Sequence, residues 1–371
     1  MNAGPLTDAR LASIVALADF EPLARGVMAA EAFDYVAGGA WDEISLLEND
    51  AAWRRRRFRP RVLVDVSGVD PSTTLLGASA ALPLAIAPMA AHGLAHADAE
   101  LATVRAAAAV GVPFITSTMS TRSLEEVAAA AAGHDRWFQL YTQADPGRTR
   151  ALVQRAQSAG YGAIILTVDL PRLGYRDRDR RSGFDLDVPL GNFPETTGPT
   201  HADHGRDGYE RLDEQRLAGL TWDDLATVRS WTSLPLVLKG ILTAEDARLA
   251  VEHGVDAIVV SNHGARQLDR TPAPIDVLAE VAAAVDGRTE VWVDGGVRRG
   301  LDIAIALALG ARGVLVGRPI LWALAAAGQP GVERVLAILA EEFTIAMALL
   351  GTPTVDSITS RHLVDGPVIG T

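Results

Sequence analysis

From about residue 80 onward, short aliphatic runs alternate with alanine-rich stretches, and this alternation confines the chain to parallel βαβ units. The runs are Leu82–Pro88, Val112–Thr118, Trp137–Gln143, Gly162–Val168, Leu234–Lys239, Ala257–Asn262, Val291–Gly295 and Gly313–Gly317. Between them, Asp98–Val110, Arg122–Ala132, Arg148–Ala159, Ala244–His253, Pro274–Val285 and Leu301–Leu309 are each long enough for about three helical turns. Glycine-bearing junctions such as Ala-Gly-Tyr-Gly at 159–162 and Leu-Gly-Ala-Arg-Gly at 309–313 suit a helix that stops and turns into a strand. Eight such strands predict an α/β fold of the (β/α)8 TIM-barrel class. A doubly wound open sheet competes, but no GxGxxG follows the first strand as a dinucleotide-binding unit requires.

The whole chain, 1–371, is expected to be one domain, with 1–75 as an N-terminal helical cap and 80–351 as the barrel. Residues 181–221 form a long polar stretch rich in Gly, Pro, Asp and His, which predicts a lid loop. A net charge of −12 argues against nucleic acid as a partner, and the basic run from Arg54 to Arg61 reads as a solvated or ion-paired segment. Cysteine is absent, which excludes disulfides, thiolate catalysis and cysteine-held metal. Met1 to Phe20 has no basic stretch followed by an apolar block, and no apolar run is long enough for a bilayer, so a cytoplasmic protein with no membrane partner is expected.

In a barrel the active site forms at the C-terminal ends of the strands, so the residues that follow each apolar run are the candidates. They are Ala87, Pro88, Met89 and Ala90; Ser117; Gln139 with Tyr141; Thr167 with Asp169 and Arg176; Lys239; Ser261 with His263 and Arg266; Asp294, Gly296 and Arg298; and Gly317 with Arg318. Two Gly-Arg turns on the last two strand ends suit a phosphate, which glycine lets the backbone approach and arginine neutralises; tight turns alone are the plainer explanation. Lys239 closes an apolar strand, where an ammonium needs an anionic partner. It could stabilise negative charge on a reduced cofactor, or form a Schiff base as in a barrel lyase. His263 stands three positions before Arg266, a planar fork for a carboxylate, so a base lies beside an anion receptor. Asp169 is expected to hold the protonated imidazole and raise its pKa. His92, His96, His201, His204 and His253 show no metal-ligand spacing, and no metal is expected.

These residues resemble the FMN-dependent 2-hydroxy-acid oxidases and dehydrogenases, the family of glycolate oxidase, lactate oxidase and mandelate dehydrogenase. The resemblance rests on Ser-Asn-His-Gly-Ala-Arg-Gln-Leu-Asp at 261–269, Leu-Thr-Val-Asp at 166–169, Gln-Leu-Tyr at 139–141, Lys239-Gly240, Asp-Gly-Gly-Val-Arg at 294–298, Gly-Arg-Pro at 317–319 and Phe-Asp-Tyr-Val-Ala-Gly-Gly-Ala at 33–40. It implies His263 as catalytic base, Asp169 as its support, and Arg266, Arg176 and Tyr35 as receptors of the substrate carboxylate. Tyr141 would contact the substrate hydroxyl. Lys239 would lie near the flavin N1 edge, with Ala87 to Ala90, Ser117, Gln139 and Thr167 at the isoalloxazine. Ser261 would join the cofactor residues, and Asp294, Gly296, Arg298, Gly317 and Arg318 would surround the ribityl phosphate. The implied reaction converts an (S)-2-hydroxy acid to a 2-oxo acid, with reoxidation by O2, or by a quinone or other carrier in a dehydrogenase. Ala90 matches the small residue of the family's oxidases. Met119 stands where glycolate-type members carry a large aromatic, and Met89 where a small polar residue is frequent, so a bulky, mandelate-like substrate is expected. The C-terminal half looks especially like the hydroxymandelate oxidase branch, and the family suggests a homotetramer.

Overall fold

The computed structural model describes residues 6, 8–186, 188–193 and 218–364. Two short strands, β1 (Thr73–Leu75) and β2 (Ala78–Ala80), form an antiparallel hairpin. Eight parallel strands then close a barrel: β3 (Leu84–Ile86), β4 (Phe114–Ser117), β5 (Arg136–Leu140), β6 (Ala163–Thr167), β7 (Leu236–Ile241), β8 (Ala257–Val260), β9 (Glu290–Val293) and β10 (Gly313–Val316), which pairs back onto β3. Each lies within or overlaps an expected run, and the expected barrel is the fold. The hairpin was not expected and joins what reads in the sequence as cap. Its two-residue turn places Leu76 and Gly77 at φ 48° and 81°, a geometry that a leucine does not advertise.

Both faces of the barrel strands are buried in apolar surroundings, which explains why their sequences are nearly continuous aliphatic runs. Leu84, Ile86, Phe138, Leu140, Ile164, Leu166, Leu236 and Leu238 face the helices. Ile115, Trp137, Ile165, Val237, Val259, Trp292 and Leu315 fill the interior, joined by Leu75 and Ala80 of the hairpin. Moving two positions on from those seven interior residues gives Ser117, Gln139, Thr167, Lys239, Ser261, Asp294 and Gly317. The period of two that packs the core therefore delivers a mostly polar layer to the C-terminal mouth.

The N-terminal helices Ala30–Ala37 and Ile44–Arg54 reach that mouth. The backbone N–H groups of Ile44 and Ser45 donate to Asp269 at 3.3 and 2.8 Å, and the Trp53 indole N–H donates to the Gly295 carbonyl at 2.8 Å. At the other end of the chain, helix Arg318–Leu350 breaks at Gly328, two residues before Pro330, whose missing N–H cannot continue the ladder. Among the described residues no helix is long and apolar enough to cross a membrane.

Candidate active site

The polar layer floors a cleft of about 1160 Å³, counting its open mouth, whose walls come from the segments that follow the strands. Its centre is His263. The imidazole Nδ1 lies 2.8 Å from Asp169 Oδ1, and Nε2 lies 3.3 Å from the Tyr141 hydroxyl. An ionised Asp169 accepts from Nδ1–H and so leaves Nε2 with its lone pair toward the cleft. Burial lowers the His263 pKa from its ordinary value; Asp169 raises it, while Lys239 and Arg176 lower it further. The net direction corrects the expectation of a raised imidazole. Asp169 does push that way, but desolvation outweighs it, and the result is a neutral base. Asp169 itself is held below the usual carboxylate range: burial pushes it up, yet its interaction with His263, including the Nδ1–H hydrogen bond, and the charge of Lys239 prevail.

The backbone beneath this base is unusual. His263, Gly264 and Ala265 adopt φ of 59°, 62° and 61°, three consecutive left-handed residues, and the non-glycine ones cost roughly 1–2 kcal/mol each. Specific bonds hold the turn in place. Ser261 Oγ accepts from the His263 N–H at 3.0 Å, Asn262 Oδ1 accepts from the Ala265 N–H at 3.0 Å, and the Ala265 carbonyl accepts from the Ala40 N–H at 2.9 Å. Asn262 is itself fixed by reciprocal amide bonds with Asn49 at 2.8 and 2.9 Å.

Two guanidinium groups approach the Tyr35 ring, Arg266 at 4.7 Å and Arg176 at 6.0 Å from its centroid. Phe184 also stacks on the ring, with centroids 4.4 Å apart. Arg266 Nη1 donates to the carbonyls of Tyr35 and Gly38, and among the described residues no carboxylate forms an ion pair with it. Arg176 is buried with Asp179 3.9 Å away. A planar anion entering here meets converging forks.

On the cleft floor, Gln139 Oε1 accepts from Ser117 Oγ and the Thr118 N–H, and its Nε2 donates to Thr167 at 3.0 Å. Lys239 Nζ donates to Ser261 Oγ at 2.8 Å and pairs with Asp294 at 3.1 Å. Burial lowers the lysine pKa, but Asp294 and Asp169 overcome it and raise the net value, so Lys239 stays an ammonium. A Schiff-base nucleophile needs the neutral amine, and this setting opposes it. Toward β9 and β10, Arg318 donates to the carbonyls of Val36, Gly38 and Gly264 at 3.1, 3.1 and 2.7 Å. Its pKa is pushed down to about 9 by burial and by the neighbouring charges of Arg266 and Arg298.

Of the residues singled out in the sequence, Tyr35, Ala87, Pro88, Met89, Ala90, Ser117, Met119, Gln139, Tyr141, Thr167, Arg176, Lys239, His263, Arg266, Asp294, Gly296, Arg298, Gly317 and Arg318 all line the cleft. Asp169 and Ser261 lie behind it and bond to residues that do line it. Of the lid loop 181–221, residues 187 and 194–217 lie outside the described residues, and Leu186 contributes to the wall. Sequence reasoning missed the apolar wall residues Leu170, Leu173 and Leu186, and the Asn49–Asn262 pair.

Comparison with known proteins agrees with this geometry. A family model described as FMN-dependent dehydrogenase matches residues 24–365. The chain is 49% identical over 360 residues to L-lactate oxidase of a Nostoc species, covering 95% of this chain and 99% of that one. It is 48% identical over 343 residues to 4-hydroxymandelate oxidase of Amycolatopsis orientalis, covering 92% and 96%. A solved structure of mandelate oxidase with (S)-4-hydroxymandelic acid superposes with a TM-score of 0.91 at 46% identity, covering 96% of this chain and all of that one.

The chain belongs to the FMN-dependent dehydrogenase family. The cofactor of this family is FMN, and the cleft suits it on its own terms. At Gly296, with φ of 86°, a Cβ would lie 2.1 Å from the Asn49 carbonyl oxygen, so only glycine lets the backbone lie this close. Arg318 donates to three carbonyls and forms no ion pair among the described residues, while Arg298 pairs with the partly exposed Asp50 at 3.4 Å, so a phosphate would supply the counter-charge the two guanidinium groups lack. Asp294 Oδ1 is buried without a partner among the described residues, a polar atom aimed at a group still to come.

Proposed function

We propose that this member of the FMN-dependent dehydrogenase family oxidises an (S)-2-hydroxy acid with a bulky, mandelate-like side chain to the 2-oxo acid, with O2 as the final acceptor. The observation that carries the reading is the His263 imidazole, bonded to Asp169 and Tyr141 and sharing one cleft with the Arg266 and Arg176 forks. In this reading Arg266, Arg176 and Tyr35 bind the substrate carboxylate. Tyr141 orients the 2-hydroxyl, and His263 Nε2 takes the hydroxyl proton. Asp169 stabilises the imidazolium that results. Ala87 to Ala90, Ser117, Gln139, Thr167, Lys239 and Ser261 would hold the flavin ring, while Gly296, Arg298, Gly317 and Arg318 would hold the ribityl phosphate, with Asp294 nearby as an acceptor for the ribityl hydroxyls. FMN, when bound, would supply the acceptor for the C2 hydrogen, which leaves with its electron pair as hydride while His263 holds the hydroxyl proton, and O2 would reoxidise the reduced ring.

Met119, Leu170, Leu173 and Leu186 give the cleft an apolar wall in keeping with an aryl side chain. Similarity to mandelate and 4-hydroxymandelate oxidases supports the same substrate class. A homotetramer, inferred from family resemblance, acting in the cytoplasm is the form in which we expect the enzyme to work. Anaerobic mixing of the holoenzyme with (S)-mandelate, (S)-lactate and glycolate tests the proposal. The flavin absorbance should bleach fastest with mandelate and return when O2 is admitted. A spectrum unmoved by every 2-hydroxy acid sinks the proposal, and bleaching that O2 does not reverse transfers the enzyme to the quinone-linked dehydrogenases.

A further inference from the structure

The segment that leaves β6 carries Asp169, two apolar wall residues, Leu170 and Leu173, and then Arg176. It is irregular from Val168 to Arg176, and its backbone is held at the two ends, where the Val168 N–H donates to the Lys239 carbonyl at 2.9 Å and the Tyr175 carbonyl accepts from the Trp41 N–H at 2.8 Å. Between those ends it is tied down by one buried side chain from the segment that follows β8, two strands away. Gln267 Nε2 donates to the Asp169 carbonyl at 3.1 Å and to the Arg172 carbonyl at 2.8 Å, and its Oε1 accepts from the Gly174 N–H at 3.2 Å. The carboxamide thus bonds the segment near its start, middle and end. Gly174 brings the two backbones together: a Cβ there would lie 2.4 Å from the Arg266 carbonyl oxygen and 2.8 Å from Gln267 Cα. Arg176 Nε adds a contact to the Arg266 carbonyl at 3.3 Å.

We propose that Gln267 is a positioning residue that locks the β6 segment onto the His263 segment and so sets Asp169 against His263 and Arg176 beside Arg266. Gln267 touches neither the cleft nor the reacting atoms; it acts through the two residues it places. An amide is required because the site offers two carbonyl acceptors and one N–H donor. Glutamate has the same shape but no donor, and it would set a carboxylate against two carbonyl oxygens. The catalytic part of this inference rests on the proposed oxidation; the positional part does not.

The test compares Gln267→Glu and Gln267→Met holoenzymes with wild type, with the second variant deciding if the first does not fold. Hydrogen exchange is followed by mass spectrometry across the chain, and anaerobic flavin reduction by (S)-mandelate is followed against pH. Exchange in peptide 168–176 should rise at least tenfold while the peptides covering the other barrel strands keep their wild-type rates. Reduction should slow by about 10²-fold, the scale of a misplacement near 1 Å. In Gln267→Met, which adds no charge, the acid limb should move to lower pH, because His263 keeps the lowering influences of burial, Lys239 and Arg176 but loses part of the support from Asp169. Wild-type exchange in 168–176 overturns the proposal. So does a uniform rise in every peptide, which marks a general structural role, or a wild-type rate and acid limb in both variants. If wild type itself is not reduced, the proposed oxidation fails, and the exchange comparison still decides the position of Gln267.

Discussion

The two ends of this barrel use the same strands and the same period of two to opposite effect. At the N-terminal end, Trp137 and Trp292 meet edge to face inside the barrel, with centroids 4.9 Å apart and planes at 72°. Each indole N–H donates to a carboxylate two residues earlier in its own strand region, Asp135 and Glu290, both at 3.1 Å. Polarity there is settled locally and the rest is packing. At the C-terminal end, the positions two residues further along carry Gln139 and Asp294, and their neighbours Lys239, Ser261 and His263 satisfy one another across strands. Asp294 even keeps a buried oxygen with no partner among the described residues. The barrel thus carries a cross-linked polar layer at one mouth and an apolar plug at the other.

The sharpest way to break that contrast is to separate chemistry from stability. Replacing His263 with Gln should slow anaerobic flavin reduction by about 10³-fold, the range of a lost general base, while FMN remains bound. Its melting temperature should stay within about 2 °C of wild type, since no core volume is removed. Stopped-flow absorbance and calorimetry measure the two sides, and reduction at the wild-type rate refutes the base assignment. The wild-type pH profile tests the same group. The active form is neutral imidazole, and burial lowers its folded pKa, so the acid limb of reduction should lie below the ordinary value of 6.5. The linkage has a definite sign: below about pH 6.5 the unfolded chain takes up a proton that folded His263 resists, so its contribution to stability declines as pH falls. An acid limb above 6.5 contradicts the desolvated environment.

At the opposite end, Trp292→Ala should have the reverse signature. Removing a fully buried indole costs about 3–5 kcal/mol, roughly 2 °C or more of melting temperature per kcal/mol. Turnover per bound flavin should stay within about twofold of wild type at a temperature where both proteins are folded. A collapse in turnover with little thermal change would mean that the plug acts on the chemistry directly and that the two ends are not separable.

How much of this contrast could be read from the chain alone follows from what is local. The strand ends are legible because each apolar run is local, and the polar residues closing those runs fall on the cleft; which residues within a run face inward is not legible, because both faces are aliphatic. The left-handed turn at 263–265 is not legible: histidine and alanine do not announce positive φ, and the local bonds from Ser261 and Asn262 are backed by Ala40 and by Asn49, which fixes Asn262, both more than two hundred residues away. The sign of the His263 shift is hidden for a related reason. Asp169 can be paired with it by motif, but the desolvation that outweighs Asp169 exists only once the barrel has closed. Gln267 stands in plain view within Ser-Asn-His-Gly-Ala-Arg-Gln-Leu-Asp, yet its task depends on the path of a segment whose own sequence has no periodicity. The chemistry-bearing groups are thus easier to find than the groups that orient them.

The smallest expected effect locates the border between the two ends. Ile165 is buried in the interior, two positions before Thr167 on β6 and in register with Gln139 on β5 and Val237 on β7. Ile165→Val removes one methylene-sized group from the packing next to the polar layer, which should cost about 1 kcal/mol. If packing and chemistry meet at a sharp boundary, FMN affinity and the rate of flavin reduction should remain within about twofold, and only the unfolding midpoint should move. A reduction rate lowered tenfold with the same small loss of stability would show instead that the Ser117–Gln139–Thr167 chain takes its geometry from the apolar layer it adjoins. The functional end would then begin one residue pair deeper than its polar side chains suggest.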